Sequence, residues 1–332
     1  MDNMKEKFIY VDNNINIMVY IETISKGKKK YYYLTQTVRY GDKYKKIRWF
    51  LGKGDTPKRD IEEKAKEVTS EFNKKVSQFK KISPLYVLDA KQEEQLNNIK
   101  KQYPQILQKL SKVEYEVIEK HHLIHFTFNT NAIEGSTITL KETAHILGDE
   151  IISANHTVRE VHEVENTKRA YNFLKKYKGE VSSVLIKKIH YHLTYNILNE
   201  DSGQFRKIQV YMGGSQHKPP SADKVQNEMK VLMRWIKNHQ DLHPIVLSAY
   251  IHHHFIAVHP FIDGNGRTGR LLLNFMLMKS GFPPVCIRLK ERIKYIDLLE
   301  KAREGNPEEF ITFIIQKVRE SFEDIVDNTK TK

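Results

Sequence analysis

Cysteine is nearly absent: Cys286 is the single thiol in 332 residues. That excludes an internal disulfide and a thiolate zinc centre, and it fits a reducing compartment, the cytoplasm by default. Long apolar runs are missing as well. A membrane helix needs about 20 consecutive apolar residues, and the run LLLNFMLM at 271–278 is cut by Asn274. The first twenty residues carry no apolar segment with a cleavage site. A soluble cytoplasmic protein without membrane contact is therefore expected. Acidic residues are outnumbered: 55 Lys and Arg face 41 Asp and Glu, a formal net charge of +14. An anionic partner follows, whether nucleotide phosphate, nucleic acid or an acidic protein surface. The length exceeds one ordinary domain and excludes fibrous or disordered classes, leaving room for two units with a sizeable core.

The chain divides into three stretches, 1–55, 56–120 and 121–325. The first is aromatic and β-branched, with turn signals at Gly27 and at Gly41-Asp42, as in YYYLTQTVRYGDKYKKIRWFLGKG. It reads as a small antiparallel meander of about three strands. Its interleaved basic and aromatic residues could present a nucleic-acid surface, but the alternation is already what a sheet with one buried aromatic face and one solvated basic face requires. The second stretch reads as linking helices. The third is helical almost throughout. Thr139 with Glu142, and Thr157 with Glu160, have capping-box spacing. Leu185, Ile189, Leu193 and Ile197 recur every four residues, the stripe of a buried helical face. One turn-rich interruption, at about 203–220 (GQFRKIQVYMGGSQHKPP), reads as a β-hairpin inside the helical domain. The fold class is thus mainly α, a helical bundle with a β-hairpin flap and a small N-terminal β module.

One segment carries chemistry. HPFIDGNGRTGR, residues 259–270, joins two helical patterns. Gly264 and Gly266 permit turns that aim backbone N–H groups at an anion where the second helix starts. Asn265 would add a side-chain donor. Arg267 and Arg270 lie three apart on one face of that helix, two guanidinium forks suited to a polyphosphate. Asp263 beside phosphate calls for a bridging cation, and Mg²⁺ is the natural one. His259 is placed to take a proton from an attacking hydroxyl. Base, metal carboxylate and anion cradle within one loop describe a phosphate-transfer site. Two other motifs fit less well. A dinucleotide fingerprint at Gly264, Gly266 and Gly269 needs a preceding strand. A P-loop needs a lysine and a hydroxyl where Arg270 and Leu271 stand.

HPFIDGNGRTGR resembles the Fic family signature, H-P-F-x-[DE]-G-N-G-R-x-x-R, at every specified position, and the resemblance extends from about His121 to Phe313. It implies a helical Fic core with a β-hairpin flap and an adenylyltransferase that moves AMP from ATP to a protein Ser, Thr or Tyr hydroxyl. His259 would be the general base and Asp263 the Mg²⁺ (or Mn²⁺) ligand. Gly264, Asn265 and Gly266 would bind phosphate, with Arg267 and Arg270 on the β and γ end. Thr130-Asn131-Ala132-Ile133-Glu134-Gly135 is similar to the family's inhibitory helix motif, [ST]-x-x-x-E-[GN], which implies that Glu134 pairs with Arg270 and restrains transfer. A different reading makes Asn131 and Glu134 a capping box. By the same resemblance the flap docks an extended target segment, and Tyr295 lies on the adenine side unless it is a core aromatic. Arg303 stands where relatives often have Asn. The chain itself is an expected target in vitro, and a homodimer is an expected assembly. Two alternatives stand beside AMP transfer: AMP removal at the same site, with Glu134 orienting water, and nucleic-acid regulation through the N-terminal module.

Histidines do not point to a metal. His252, His253 and His254 are consecutive on a helix and diverge by about 100°. His121 and His125 have ligand spacing, but no HExxH or nearby cysteine completes a zinc site.

Overall fold

The computed structural model describes residues 10–11, 18–27, 29–40, 43–82, 86, 88–148, 156–212 and 217–330. The chain forms two compact units, residues 1–87 and 88–332.

Among its described residues the first unit has one antiparallel sheet and one helix. Strands β1 (Tyr10–Val11), β2 (Met18–Lys26), β3 (Lys29–Tyr40) and β4 (Lys43–Lys53) lie in sequence order. A left-handed Gly27, φ 62°, turns β2 into β3; the turn expected at Gly41-Asp42 lies outside the described residues. Alternate side chains point to one face. Val19, Ile21, Tyr32, Leu34, Ile47, Trp49 and Leu51 pack there against Ile61, Ala65, Val68, Phe72 and Val76 of α1 (Lys58–Ile82). Those α1 positions recur every three or four residues, a single helical stripe. The sequence boundary near residue 55 is therefore corrected. The first helix of the expected linker closes the core of the β module, because a small sheet cannot bury its apolar face alone.

The second unit is helical. α2 (Ala90–Lys109) and α3 (Lys112–Ile133) each start at a capping box, Asp89 with Gln92 and Ser111 with Glu114. α4 (Leu140–Gly148), α5 (Val158–Lys176), α6 (Ser183–Thr194), α7 (Ala222–Asn238), α8 (Pro244–Val258), α9 (Asn265–Lys279), α10 (Arg292–Arg303) and α11 (Glu308–Lys330) follow. Both predicted capping boxes form: Glu142 accepts from the Thr139 N–H at 2.9 Å, and Thr157 with Glu160 opens α5. The predicted stripe buries Leu185, Ile189 and Leu193, while Ile197 lies beyond the end of α6. α3 runs through the boundary expected at 120, so that division is corrected as well. Among the described residues no helix is long and apolar enough to cross a membrane, and no group of three or more His, Cys, Asp or Glu is arranged to hold a metal ion.

The hairpin expected at 203–220 is not a hairpin among its described residues. Residues 203–212 and 217–220 contain no strand; the tip at 213–216 lies outside the described residues. Side chains hold this segment in place of ladder bonds. Arg206, 2% exposed, donates to the carbonyls of His259, Ile208 and Pro220, and His217 Nε2 lies 2.9 Å from the Ala257 carbonyl.

α8 and α9 form the buried centre: nearly every residue of both is enclosed, and the buried polar side chains of α9 other than Asn274 are gathered in its first two turns. They approach closely at Gly269, where a Cβ would stand 2.8 Å from Ile256 Cδ1 and 3.2 Å from His252 Cε1. Asn274 then ties α9 to the next segment, accepting from the Val285 N–H at 2.7 Å and donating to its carbonyl at 2.9 Å. The polar residue that cuts the apolar run is thus a backbone clamp.

Histidines are unusually numerous in this core. Burial pushes His122, His190, His243 and His259 down to about 4 and His252 to about 3, and it holds His253 well below the ordinary range. An unfolded histidine titrates near 6.5. Between these values the unfolded chain binds more protons, so stability is full above about pH 6.5 and falls as pH drops towards 4. The expected denaturant midpoint is constant from neutral pH upward and declines from about pH 6.5 down, above the range where carboxylates protonate. A midpoint flat to pH 4.5 would show that these imidazoles accept protons while folded.

Candidate active site

The loop from α8 to α9 is shaped by neutral groups. His259 ends α8 in a left-handed conformation, φ 49°, its N–H still bonded to the Phe255 carbonyl. Phe261 is fully buried, and its ring stacks on His190 at 3.7 Å between centroids. His190 Nδ1 accepts from the Gly203 N–H at 2.8 Å, so its proton sits on Nε2 and is donated to the Asp263 carbonyl at 2.9 Å. Asn265 closes the loop from inside. Its Oδ1 accepts from the Phe261 N–H and its Nδ2 donates to the Phe261 carbonyl, both at 2.9 Å. This corrects the expected role of the Asn265 side chain as a phosphate donor: its amide is committed to the backbone and is 2% exposed. Its main-chain N–H remains in the first turn of α9, where a helix supplies no acceptor.

The anion cradle is the start of α9. Gly264 takes φ 73° as the N-cap, and Gly266 lies in the first turn. Arg267 is buried, its Nη1 3.0 Å from Glu163 Oε1 but out of line for a hydrogen bond, and its Nε without an acceptor among the described residues. Asp263 is flanked by cations. Arg159 of α5 reaches its Oδ2, Arg267 Nη2 stands 3.7 Å from Oδ1, and the Gly264 N–H donates to Oδ1 at 2.6 Å. Burial favours the neutral acid, yet the Arg267 charge, the Gly264 N–H and Arg159 together hold the carboxyl below its ordinary value. An ionised, partly exposed carboxylate beside a phosphate cradle fits Mg²⁺. Burial keeps His259 neutral near pH 7, against the opposing effects of the Ile256 carbonyl and the Glu134 charge, so its imidazole is free to accept a proton.

Glu134 occupies the cradle. α3 ends in a Schellman motif, Gly135 N–H to the Ala132 carbonyl and Ser136 N–H to the Asn131 carbonyl, with Gly135 at φ 102°. Gly135 is thus the helix stop and Glu134 its C-cap. Asn131 lies within the helix and donates towards Thr167 Oγ1 and the Glu163 carbonyl, both at 3.3 Å, so the capping-box reading of Asn131 and Glu134 does not hold. A carboxylate at a helix C-terminus is disfavoured by the macrodipole. Arg270 offsets this: its Nη2 donates to Glu134 Oε1 at 2.7 Å and to the Thr130 carbonyl at 2.9 Å, and its Nε to Thr130 Oγ1 at 2.8 Å. Burial raises the Glu134 carboxyl, and the Arg270 guanidinium more than reverses it, so the group is held below its ordinary value. Glu134 Oε1 lies 2.0 Å from where a Cβ on Gly266 would stand. The carboxylate thereby rests on the first turn of α9.

The structure brings together His259, Asp263, Gly264, Gly266, Arg267, Arg270, Thr130 and Glu134. Tyr295 is enclosed: it is 3% exposed, its hydroxyl is 2.7 Å from His252 Nε2, and its ring centroid is 6.0 Å from the Arg270 guanidinium carbon. It braces Arg270 from behind, the core-aromatic alternative. Arg303 pairs with Glu300 on α10. Sequence reasoning missed Arg159, Glu163, His190 and Arg206. The available signal was polar residues inside apolar stripes, Glu163 between Val161 and Val164 and His190 beside Ile189. A cleft of about 940 Å³ between α2, α3 and α11, lined by Tyr103, His125, Cys286 and Asp324, contains no residue of the 259–270 loop.

Residues 180–277 match the Fic/DOC family. "Protein adenylyltransferase Fic" of Drosophila persimilis is 35% identical over 192 residues, 56% of this chain and 37% of that protein. The protein of the same name from Nematostella vectensis is 34% identical over 200 residues, 56% of this chain and 45% of that one. The chain thus spans less than half the length of these curated relatives. Among solved structures, Fic-1 (residues 134–508) of C. elegans superposes with a TM-score of 0.65 at 25% identity, covering 83% of this chain and 79% of that one. A Fic domain containing signaling protein from Bacteroides thetaiotaomicron VPI-5482 gives 0.64 at 22% identity over 73% and 98%. The helical unit has the Fic fold.

The clamp on Phe261 can be tested without any ligand. Asn265→Ala leaves two buried backbone groups unpaired, at about 1–3 kcal/mol each, and is expected to lower the melting temperature of the nucleotide-free protein by roughly 4–24 °C. An unchanged melting temperature would return Asn265 to a purely ligand-facing role.

Proposed function

We infer, from a chain whose residues 180–277 match the Fic/DOC family, that the protein transfers AMP from ATP to hydroxyl side chains of proteins, and that Glu134 restrains this transfer. The observation carrying the reading is the carboxylate lodged in a phosphate cradle, on Arg270 at 2.7 Å and against Gly266. The protein's own anion stands where an anionic substrate would be bound, which explains why so cationic a site is assembled and why it is closed.

The neutral imidazole of His259 takes the proton of an incoming Ser, Thr or Tyr hydroxyl. The hydroxyl oxygen forms a bond to the α-phosphorus, the bond from that phosphorus to the bridging oxygen of pyrophosphate breaks, and pyrophosphate leaves. The α9 backbone N–H groups with Arg267 and Arg270 bind the phosphate oxygens, a positioning and electrostatic role. Asp263 would hold Mg²⁺, or Mn²⁺, which when bound neutralises phosphate charge; Arg159 must then give up that carboxylate. Arg206 fixes residues 206–208 and 220 around the His259 carbonyl, and the exposed side chains of Ile208 and Tyr211 mark the stretch along which a target segment would lie. The names of the curated relatives support the reaction class.

Labelled-AMP incorporation from α-labelled ATP with Mg²⁺ tests this on the chain itself. Expected labelling is low for the unaltered protein, high for Glu134→Gly, and about 10²–10⁴-fold below that for Glu134→Gly with His259→Ala. Equal labelling with and without Glu134 discards the brake, and full labelling without His259 discards the base. No labelling in any of them, with release of AMP from a modified protein, would reverse the direction of the reaction.

A further inference from the structure

The sheet of the first unit has a second face, opposite the one that packs on α1, and its side chains follow from the strand register. Tyr20, Glu22, Ile24 and Lys26 of β2 share it with Lys29, Tyr31, Tyr33, Thr35 and Thr37 of β3, since Tyr20 pairs with Thr35, Glu22 with Tyr33 and Lys26 with Lys29. From β4, Lys46, Arg48 and Phe50 lie on the same side, opposite Thr37, Thr35 and Tyr33, and after the irregularity at Tyr32/Tyr33 Lys53 comes opposite Tyr31. The centre of the face is aromatic. Tyr33 and Phe50 meet edge to face at 5.7 Å, and Phe50 is 47% exposed although it is a large apolar ring.

The strands that build this face are rich in positive charge. Between Thr23 and Gly54 the sequence has ten Lys and Arg and one acid, Asp42. On the face itself Glu22 binds Lys46 at 2.5 Å and Arg48 at 2.6 Å, and those two bonds outweigh the effect of burial to bring its carboxyl to about 2. That trio is thereby fixed with a net charge of +1. At the other end Lys26, Lys29 and Lys53 are exposed. Lys26 and Lys29 are direct cross-strand partners, an arrangement of like charges that weakens a sheet. An anion bound across that end relieves the repulsion.

We propose that this face binds single-stranded nucleic acid, with Tyr33 and Phe50 as the stacking platform and Lys26, Lys29 and Lys53 neutralising the phosphates. A phosphate backbone supplies the charge complement. Stacking on an exposed ring requires bases whose faces are open, which a duplex hides and a single strand offers. An acidic protein surface would satisfy the lysines and leave the aromatic pair without a role.

Fluorescence anisotropy of the full chain with labelled dT20 and rU20 tests this, against a 20-base-pair duplex and polyglutamate, at about 50 to 200 mM salt. The expected order is single strand tighter than duplex, with polyglutamate weakest. Phe50→Ala should weaken single-strand binding roughly 5- to 150-fold. Replacing Lys26, Lys29 and Lys53 by Gln should flatten the plot of log affinity against log salt by about 2, near 0.7 for each phosphate no longer neutralised. The substituted side chains are all exposed, and circular dichroism checks that the variants fold. No salt-dependent binding, equal binding of duplex or polyglutamate, or indifference to Phe50→Ala with the fold intact would overturn the proposal. AMP labelling by the same variants carrying Glu134→Gly should be unchanged, so failure here leaves the catalytic reading standing.

Discussion

A buried guanidinium cannot be left without partners, and Arg270 sets the terms for the whole helical unit. Removed from water on α9, it must be surrounded by acceptors. α3 and its C-cap supply three: a hydroxyl and a carbonyl from Thr130 and a carboxylate from Glu134. The carboxylate in turn sits at a helix end where the dipole opposes it, so it needs the arginine as much as the arginine needs it. Two helices far apart in sequence are thereby held together at the start of α9. Exchange of one anion for another at Arg270 is electrostatically balanced, whereas emptying the site is not.

Around that ion pair the loop is built from neutral parts. Asn265 on Phe261, His190 between Gly203 and Asp263, and Asn274 on Val285 all satisfy buried backbone groups without charge. Burial keeps the histidines uncharged. Neutral braces leave the charges of Arg267 and Arg270 to the carboxylates beside them, Glu163 and Asp263 at the one and Glu134 at the other. Where charges do gather, they are linked. Glu163 lies against Arg159 and Arg267, and Asp263 against the same two, so a cation placed on Asp263 alters the setting of both arginines.

Features that depend on local spacing are legible in the sequence. Capping boxes at Thr139 and Thr157, the stripe through Leu185 and Leu193 and the helix-loop-helix around 259–270 all follow from residue type and interval. The pairing of Glu134 with Arg270 spans 136 positions and is legible only through the resemblance of both segments to family motifs. What escapes depends on tertiary placement. An amide beside a glycine-rich turn, such as Asn265, looks the same whether it faces a ligand or its own backbone. Tyr295 suits the nucleoside side by sequence, whereas its hydroxyl meets His252. α1 has the composition of a linker because its charged surface masks the stripe from Ile61 to Val76 that the sheet requires. The flap's strand-like composition comes without ladder pairing, since Arg206 and His217 hold the described part through side chains.

The central claim is that Glu134 and a polyphosphate compete for one place. Calorimetric titration of Mg·ATP and of adenosine into the unaltered chain and into Glu134→Gly tests it directly, because adenosine shares the nucleoside and lacks the charge. Removal of the carboxylate is predicted to tighten ATP by about tenfold or more, about 1.4 kcal/mol, and to leave adenosine unchanged. Equal ATP affinity in the two proteins, or a gain shared by adenosine, would contradict it.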